Sequence, residues 1–416
     1  MNDFVLTSDK VRETLANTLQ IVFEVTDACN LRCEYCAYGS LYGNYDQREN
    51  RFLSLQTAIC FIEYMERLWK NSKTLLMNNN VFVSFYGGEP LLNFPFIKEV
   101  VNYLKTKAFH RSFKFNMTTN AMLLDKHMDF LVDNSFELLI SLDGNYENNS
   151  YRKLKNGLSS FERVTSNIDK LRYVYPDYFE NHVSFNSVLH NRNTVIDILG
   201  FIKDKYGKVP DINEINDTGI LVEKKDDFYR MYRNTYDSLF KNENYGEIER
   251  EMFLSCPTYH SAMLFLLHNS EFKYDSYNEL LYGKNEKQRK LYTGTCIPFS
   301  RKVFVTVNGK IMPCERIGHH YELGFVDDKE VVVDFNSIAA KYNDYYQRMA
   351  PQCRMCKNQK DCVQCVFQID GFERGNNQCF GFMNEVERKR FVQTQLNFFS
   401  RHPEAYSEIM NKVIMK

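Results

Sequence analysis

Cys29-Asn30-Leu31-Arg32-Cys33-Glu34-Tyr35-Cys36 places three thiols on one short stretch, one fewer than a closed metal site needs. A [4Fe–4S] cluster normally takes four thiolates, so a three-cysteine loop leaves one iron open to an outside ligand such as a chelating small molecule. The alternative is a zinc knuckle that finds its fourth ligand elsewhere. A second set comprises Cys296, Cys314, then Cys353-x2-Cys356-x5-Cys362-x2-Cys365, and Cys379 thirteen residues on. Those seven exceed what one zinc ion requires, although a pair of structural zinc sites would also use CxxC knuckles. Of the 12 cysteines this leaves Cys60, on a predicted helix face, and Cys256. Cys60 reads as a small buried apolar residue, and Cys256 as either that or a further cluster ligand.

The elements that must position these thiols are legible from periodicity. Strands are predicted at Gln20–Thr26, Val81–Tyr86, Phe113–Thr118, Leu138–Leu142, His182–Leu189 and Asp211–Ile215. Between them Leu55–Trp69, Phe96–Lys105, Lys126–Asn134, Phe161–Val174 and Thr194–Tyr206 carry apolar residues at three- and four-residue steps, the signature of helices packed on a sheet. Six βα units of this kind predict an α/β fold with a parallel sheet closed as a partial (β/α)6 barrel of TIM type. In such a barrel the loop after a strand lies at the C-terminal mouth, where active sites are found. That places the first thiols there, together with Gly87-Gly88-Glu89-Pro90 after the second strand. Glycines admit close backbone approach to a ligand, and Glu89 offers an acceptor for an ammonium group.

Four segments are expected: the barrel over 1–216, a helical connector over 217–290, a cysteine-rich domain over 291–383, and C-terminal helices over 384–416. Within the third, Lys302–Val307 and Lys310–Met312 read as a hairpin joined by Asn308-Gly309 in a type I′ turn. Charge excludes some partners. Lys plus Arg is 52 against Asp plus Glu 53, so no whole-molecule basic field favours nucleic acid or an acidic membrane. No apolar run approaches the roughly 18 residues of a spanning helix. Met1-Asn2-Asp3-Phe4 lacks the basic and apolar regions of a secretory signal, so a cytoplasmic protein with reduced thiols is expected.

In order along the chain, the CxxxCxxC loop, Gly87-Gly88-Glu89-Pro90, Thr119-Asn120 and Ser141-Leu142-Asp143-Gly144 resemble the radical S-adenosylmethionine (SAM) enzymes. The resemblance covers about the first 215 residues. It implies that Cys29, Cys33 and Cys36 hold a [4Fe–4S] cluster whose electron cleaves SAM to a 5′-deoxyadenosyl radical. It further implies that Tyr35 lies near the adenine, that Gly87, Gly88, Glu89, Pro90 and Asn120 line the cofactor, and that Ser141 and Arg152 contact SAM. The later cysteines resemble the SPASM extension of radical SAM enzymes that modify peptides and proteins, with x2 before Cys365 where x3 is usual. The resemblance then assigns Cys296, Cys314 and Cys365 to a nearer auxiliary cluster and Cys353, Cys356, Cys362 and Cys379 to an outer one, three [4Fe–4S] clusters in all.

Two classes of enzyme share that domain pair. One matures ribosomally made precursor peptides, and the other, the anaerobic sulfatase maturases, oxidises Cys or Ser to formylglycine. Cys314-Glu315-Arg316-Ile317 after Asn-Gly resembles the first more closely, which implies an oxidative cross-link such as a thioether to Cys, with Glu315 as the base. A salt bridge is the other use for Glu315. Because only 28 residues precede Cys29, no leader-recognition domain is expected before it. The leader would bind the connector, the barrel edge or a partner protein, and a flavodoxin or ferredoxin would supply electrons. A third class, a zinc scaffold or electron carrier without SAM turnover, would lack SAM cleavage.

Overall fold

The computed structural model describes residues 5–71, 80–240, 243–269 and 293–414. The expected boundary at 290–291 lies outside the described residues. The chain divides into two compact units, each described by itself. One, the sheet unit, is Thr7–Lys241 with Cys296–Ile338; the other, the helical unit, is Met1–Leu6, Asn242–Thr295 and Ala339–Lys416. The stretch read from sequence as one cysteine-rich domain is thus shared between them.

In the sheet unit, β1 (Gln20–Thr26), β2 (Asn80–Gly87), β3 (Ser112–Thr119), β4 (Glu137–Ser141), β5 (Val183–Leu189) and β6 (Asp211–Glu214) lie within two residues of the predicted runs. Each pairs in parallel with the next. Six residues of β1, Ile21 to Thr26, are buried, as a strand covered on both faces requires. Helix α1 (Ser8–Ala16) precedes β1, and α2 (Leu55–Asn71), α3 (Phe94–Thr106), α4 (Leu124–Asp133), α5 (Phe161–Val174), α6 (Pro176–His182) and α7 (Val195–Tyr206) lie in the crossovers; periodicity missed α1 and α6. α1 starts at a side-chain cap, Thr7 accepting from Lys10 N, and α6 at Pro176 in its first turn, so both are announced by their ends rather than by an apolar stripe. On α2 the buried Ala58, Phe61, Ile62, Met65 and Trp69 follow the helical step, and Phe61 meets Phe23 of β1 edge to face at 6.3 Å.

The sheet continues on the far side of β1. β7 (Val303–Val305) pairs with β1 in parallel, Ile21 opposite Val303 and Phe23 opposite Val305. β8 (Lys310–Met312), β9 (Gly324–Val326) and β10 (Val331–Val332) follow antiparallel, giving the order β10-β9-β8-β7-β1-β2-β3-β4-β5-β6. The order is linear, with β6 at one end, so the sheet does not close into a complete barrel. The β7–β8 hairpin exists, but its turn differs from the expected type I′. Asn308 keeps a negative φ while Gly309 stands at φ +81°, and Thr306 N donates to Lys310 O at 2.9 Å. The loop is therefore three residues, Val307 to Gly309, ending in a left-handed glycine. The physical reason lies next door, since Val307 N donates to the buried Glu24 of β1 at 3.0 Å and the Asn308 side chain to Asp46 at 3.0 Å.

The helical unit contains Tyr245–Met252, Pro257–Asn269, the long helix Phe335–Met355 from Ala339 onward, Glu385–Arg401 and Pro403–Ile409. Tyr259 packs edge to face on Phe398 at 4.9 Å, and Tyr345 on Phe367 at 5.7 Å. The sequence held no expectation of a helix at Phe335–Met355, whose last turn carries Cys353.

A Cβ at Gly309 would stand 2.1 Å from Val326 O, in a backbone conformation that L residues avoid. Gly309→Ala should destabilise the protein by about 2 kcal/mol in urea unfolding, whereas Asn308→Ala should cost well under half of that.

Candidate active site at the C-terminal ends of the parallel strands

The thiol loop leaves β1 through a side-chain clamp. Thr26 Oγ1 donates to Arg51 O at 2.6 Å and accepts from Ala28 N at 3.0 Å, while the Asp27 carboxylate accepts from Glu49 N and Arg51 N at 3.0 and 2.6 Å. Further along, Arg32 N donates to Lys153 O at 2.7 Å and Glu34 N to Tyr151 O at 3.2 Å, tying the loop to the segment after β4. Cys29, Cys33 and Cys36 lie within electrostatic reach of one another. Burial pushes the Cys29 thiol up to about 11 and the Cys33 thiol to about 12. Such thiols stay neutral unless a cation compensates, and soft iron bound as a cluster is a cation of the right kind. Cys33 packs against an aromatic and aliphatic cluster that includes Tyr35, Tyr42, Tyr151 and Met231.

At the end of β2 the two glycines serve a different contact from the one expected. A Cβ on Gly88 would lie 1.9 Å from Ala28 O, and one on Gly87, at φ +135°, 2.2 Å from Thr26 O. What approaches these glycines is the thiol loop itself, sealed by Gly88 N to Thr26 O and Glu89 N to Ala28 O, both 2.9 Å. Glu89 does not reach out to a ligand. It is wholly buried, accepting from Thr119 Oγ1 at 2.7 Å, Asn120 N at 2.8 Å and Leu91 N at 3.2 Å. Burial holds its carboxyl up at about 7 despite those donors. Pro90 is buried at the start of a short 3-10 turn. Asn120 Nδ2 donates to Asn30 Oδ1 at 2.8 Å and sits 3.8 Å from Cys29 Sγ, so the β3 end also braces the thiol loop.

The β4 end carries the densest polar knot. Asp143 is fully buried, and Val188 N and Arg152 Nη2 donate to its Oδ1 at 2.9 and 3.1 Å. Arg152 Nε stands 3.0 Å from Oδ2, His190 Nε2 stands 3.8 Å from it, and the Tyr35 hydroxyl donates to it. Burial pushes the Asp143 carboxyl up, but the Arg152 charge and His190 outweigh it and hold it at about 2. Tyr35 stacks on His190 at 5.7 Å, with the Arg152 guanidinium 5.6 Å from the ring of Tyr35. Arg152, expected to pair a ligand carboxylate, thus spends its fork on Asp143, and Tyr35 is a buried member of the same knot. Ser141 is half-buried at the last position of β4, opposite Asn186. Sequence reasoning quoted Asp143 inside Ser-Leu-Asp-Gly without giving it a role and did not single out His190; the signal was an acid in a motif of otherwise small or apolar residues.

Cys314 follows β8 in the sheet unit, where burial pushes its thiol to about 12 and its Sγ accepts from Arg316 N at 3.2 Å. Glu315 pairs with Lys302 Nζ at 3.0 Å through Oε1, while its buried Oε2 has no hydrogen-bond partner. Tyr38, Tyr45 and Tyr86 pack together nearby, Tyr38 to Tyr45 at 4.8 Å and Tyr38 to Tyr86 at 6.2 Å; Tyr45 and Tyr86 feel both Cys36 and Glu315. Cys296 is exposed and belongs to the same unit, whereas Cys365, half-buried, belongs to the helical unit. In the helical unit Cys353 is within electrostatic reach of Cys356, Cys362 and Cys379, and burial pushes it to about 12. Cys356 Sγ accepts from Asn358 N and Met383 N, both at 3.4 Å, as a thiolate ligand to a cluster would. Among the described residues no three His, Cys, Asp or Glu side chains close on a single-ion position. Cys256 is buried beside Thr258 Oγ1 at 3.1 Å, and Cys60 is half-buried on α2.

Glu89 and Glu24 both sit near 7 because burial penalises their charge. Each keeps a proton in the folded chain where the unfolded chain has lost it, so their contribution favours folding less as pH rises from about 4.5 to 7. Urea unfolding at pH 5 and pH 8 should show lower stability at pH 8, with the difference reduced in Glu24→Gln.

Residues 23–204 match the Radical SAM superfamily. The chain is 26% identical over 345 residues to the cysteine-type anaerobic sulfatase-maturating enzyme of Clostridium novyi, covering 79% of this chain and 82% of that protein. It is 25% identical over 231 residues to the radical SAM cyclopropyl synthase TigE of Paramaledivibacter caminithermalis, covering 53% of this chain and 44% of that one. The chain spans less than half the length of the first curated relatives it matches. The solved structure of native anSMEcpe with bound AdoMet and Kp18Cys peptide shares the fold, with a TM-score of 0.54 at 18% identity over 95% of this chain and 99% of that one. Among the described residues no helix is long and apolar enough to cross a membrane. With three half-buried thiols clustered where β1 ends, clasped by the glycines after β2, residues 23–204 of this chain form a radical SAM domain.

Proposed function

We propose that the protein is a peptide maturase that removes a hydrogen atom from a precursor peptide and forms an oxidative cross-link, a thioether to Cys. The observation that carries the reading is the mutual approach of Cys29, Cys33 and Cys36 on a loop clamped to β2, β3 and β4 at the mouth of the sheet. When bound there, a [4Fe–4S] cluster and SAM supply the hydrogen-abstracting radical. The residues present fit such a group: the donors are thiols alone, and burial leaves Cys29 and Cys33 in need of a cationic partner.

The remaining chemistry falls to this chain's side chains. Making a thioether breaks one C–H and one S–H bond, forms one C–S bond, and releases a hydrogen atom, a proton and an electron. Glu315 Oε2, unbonded and in the residue next to Cys314, is positioned to take the proton, while Lys302 holds the other oxygen, Oε1, at 3.0 Å. Asp143 fixes Tyr35 and Arg152 as one wall of the site. Ser141, at the half-buried end of β4, is the polar group we assign to the cofactor's side of that wall. The seven later cysteines are proposed to hold two auxiliary clusters, which would take up the electron.

Formylglycine formation on a sulfatase is the second reading, favoured by the extent of the match to the Clostridium novyi sulfatase-maturating enzyme. Both readings share the barrel chemistry and differ in product. Anaerobic reconstitution should give about twelve irons per chain and 5′-deoxyadenosine when SAM and reductant are added. Replacing Cys29, Cys33 and Cys36 by Ala should remove about four irons and all SAM cleavage. Zinc in place of iron without cleavage overturns the proposal.

The product is read by mass spectrometry on small Cys-containing peptides encoded nearby. Loss of two hydrogens that disappears when the target Cys is changed to Ser supports the thioether. Retention of that loss in the Ser peptide counts against it, and an aldehyde that captures hydrazine assigns the second reading.

A further inference from the structure

The segment after β6 carries side chains that the chemistry above does not use. It forms a short helix, α8 (Lys225–Met231), outside the stretch 23–204 that matches the Radical SAM superfamily. Lys225, Asp226, Tyr229 and Arg230 of α8 are exposed, while Phe228 and Met231, three residues apart on one side of the helix, are buried. That side joins the cluster of Tyr35, Leu41, Tyr42, Tyr151 and Ile215 against which Cys33 packs. Backbone and polar contacts fix α8 to the same place. Asn191 N donates to Met231 O at 2.8 Å, Tyr232 lies opposite His190 in an isolated antiparallel bridge, and Arg233 Nη2 donates to Asn191 O at 3.1 Å. Tyr232 stacks on Phe228 at 5.1 Å, and its hydroxyl donates to Glu214 at the end of β6.

Met231 thus reaches Tyr35 by two routes. Its side chain does so through the apolar cluster, and its carbonyl through the loop that carries His190, which stacks on Tyr35 at 5.7 Å. An unbranched, polarisable thioether is suited to filling the irregular space among aromatic rings. We propose that Met231, supported by Phe228, is a positioning residue for the radical centre, holding Tyr35 and the Cys33 segment where the thiol loop binds its cluster and SAM. The inference rests on the proposed cluster and SAM at that loop. Shortening Met231 to Ala opens a gap that a packed interior closes only in part, so Tyr35 and Cys33 gain room to shift. The connector then has a part in the chemistry as well as in joining segments, because the wall made by Tyr35, Arg152 and Asp143 is backed from outside the matched stretch.

The test reads SAM binding by calorimetry and the electron paramagnetic resonance signal of the reduced, SAM-bound cluster, on reconstituted holoenzyme with iron counted on every sample. Met231→Ala should weaken the Kd for SAM about tenfold and alter that signal at full iron content. Met231→Leu, which conserves volume, should stay within about twofold of the wild type, and Phe228→Leu should fall between the two. Met128→Ala removes the same side chain from an equally buried place on α4 and should move neither reading. A wild-type Kd and signal in Met231→Ala overturn the proposal. So does a Met231→Leu variant as weak as Met231→Ala, or a Met128→Ala variant that shifts both readings as far, since the effect is then one of general stability. If Met231→Ala takes up no iron, Phe228→Leu decides: a weakened Kd with an altered signal carries the proposal, and wild-type values overturn it. A wild type that holds no iron at the three-cysteine loop, or holds it and binds no SAM, overturns the reading of that loop and the positioning role with it.

Discussion

Asp143 is a carboxylate taken wholly out of water, and the site is built around keeping it satisfied. A buried charge left without its partners costs about 3–5 kcal/mol. Here those partners come from three different places: Tyr35 in the thiol loop, Arg152 in the segment after β4, and Val188 N on β5. Any displacement of the thiol loop therefore unpairs a charge as well as a hydroxyl. His190 completes the knot, stacked on Tyr35 and edge-on to Tyr151 at 4.8 Å. Long-range order at the mouth follows from one acid that cannot be left alone.

Glu89 plays the matching part on the other side of the loop by a different route. Its burial holds the carboxyl near 7, and three donors from Leu91, Thr119 and Asn120 converge on it. Asp143 draws on a cation and Glu89 does not, which is why one is held low and the other high. Between them the loop is gripped by β2 and β3 on one flank and by β4 and β5 on the other. The apolar cluster against which Cys33 packs completes the hold.

Much of this was legible in the residues. Strand and helix positions came from apolar period, because β1 is buried on both faces, β3 to β5 alternate buried residues with more exposed ones, and helices such as α2 are amphipathic. The thiol loop and the glycines after β2 were legible as a site because their spacing is chemically unusual. The roles of single polar residues were harder to read. Glu89 and Arg152 offered groups suited to a ligand, yet both turned inward, since a side chain's partner depends on which strands are neighbours and that is a tertiary fact. The hairpin shows the same limit: Asn308-Gly309 has the composition of a type I′ turn, but a hydrogen bond from Val307 N to Glu24 favours a longer loop.

The parallel pairing of β7 with β1 has a consequence for how such a protein can vary. Cys314 leaves a hairpin whose first strand is locked in register to the strand that launches Cys29, Ile21 opposite Val303 and Phe23 opposite Val305. Its height above the sheet is therefore counted off in peptide units along β1 and does not depend on the length of chain between β6 and β7. Insertions and deletions in that intervening stretch leave the spacing between Cys29 and Cys314 set by the same register.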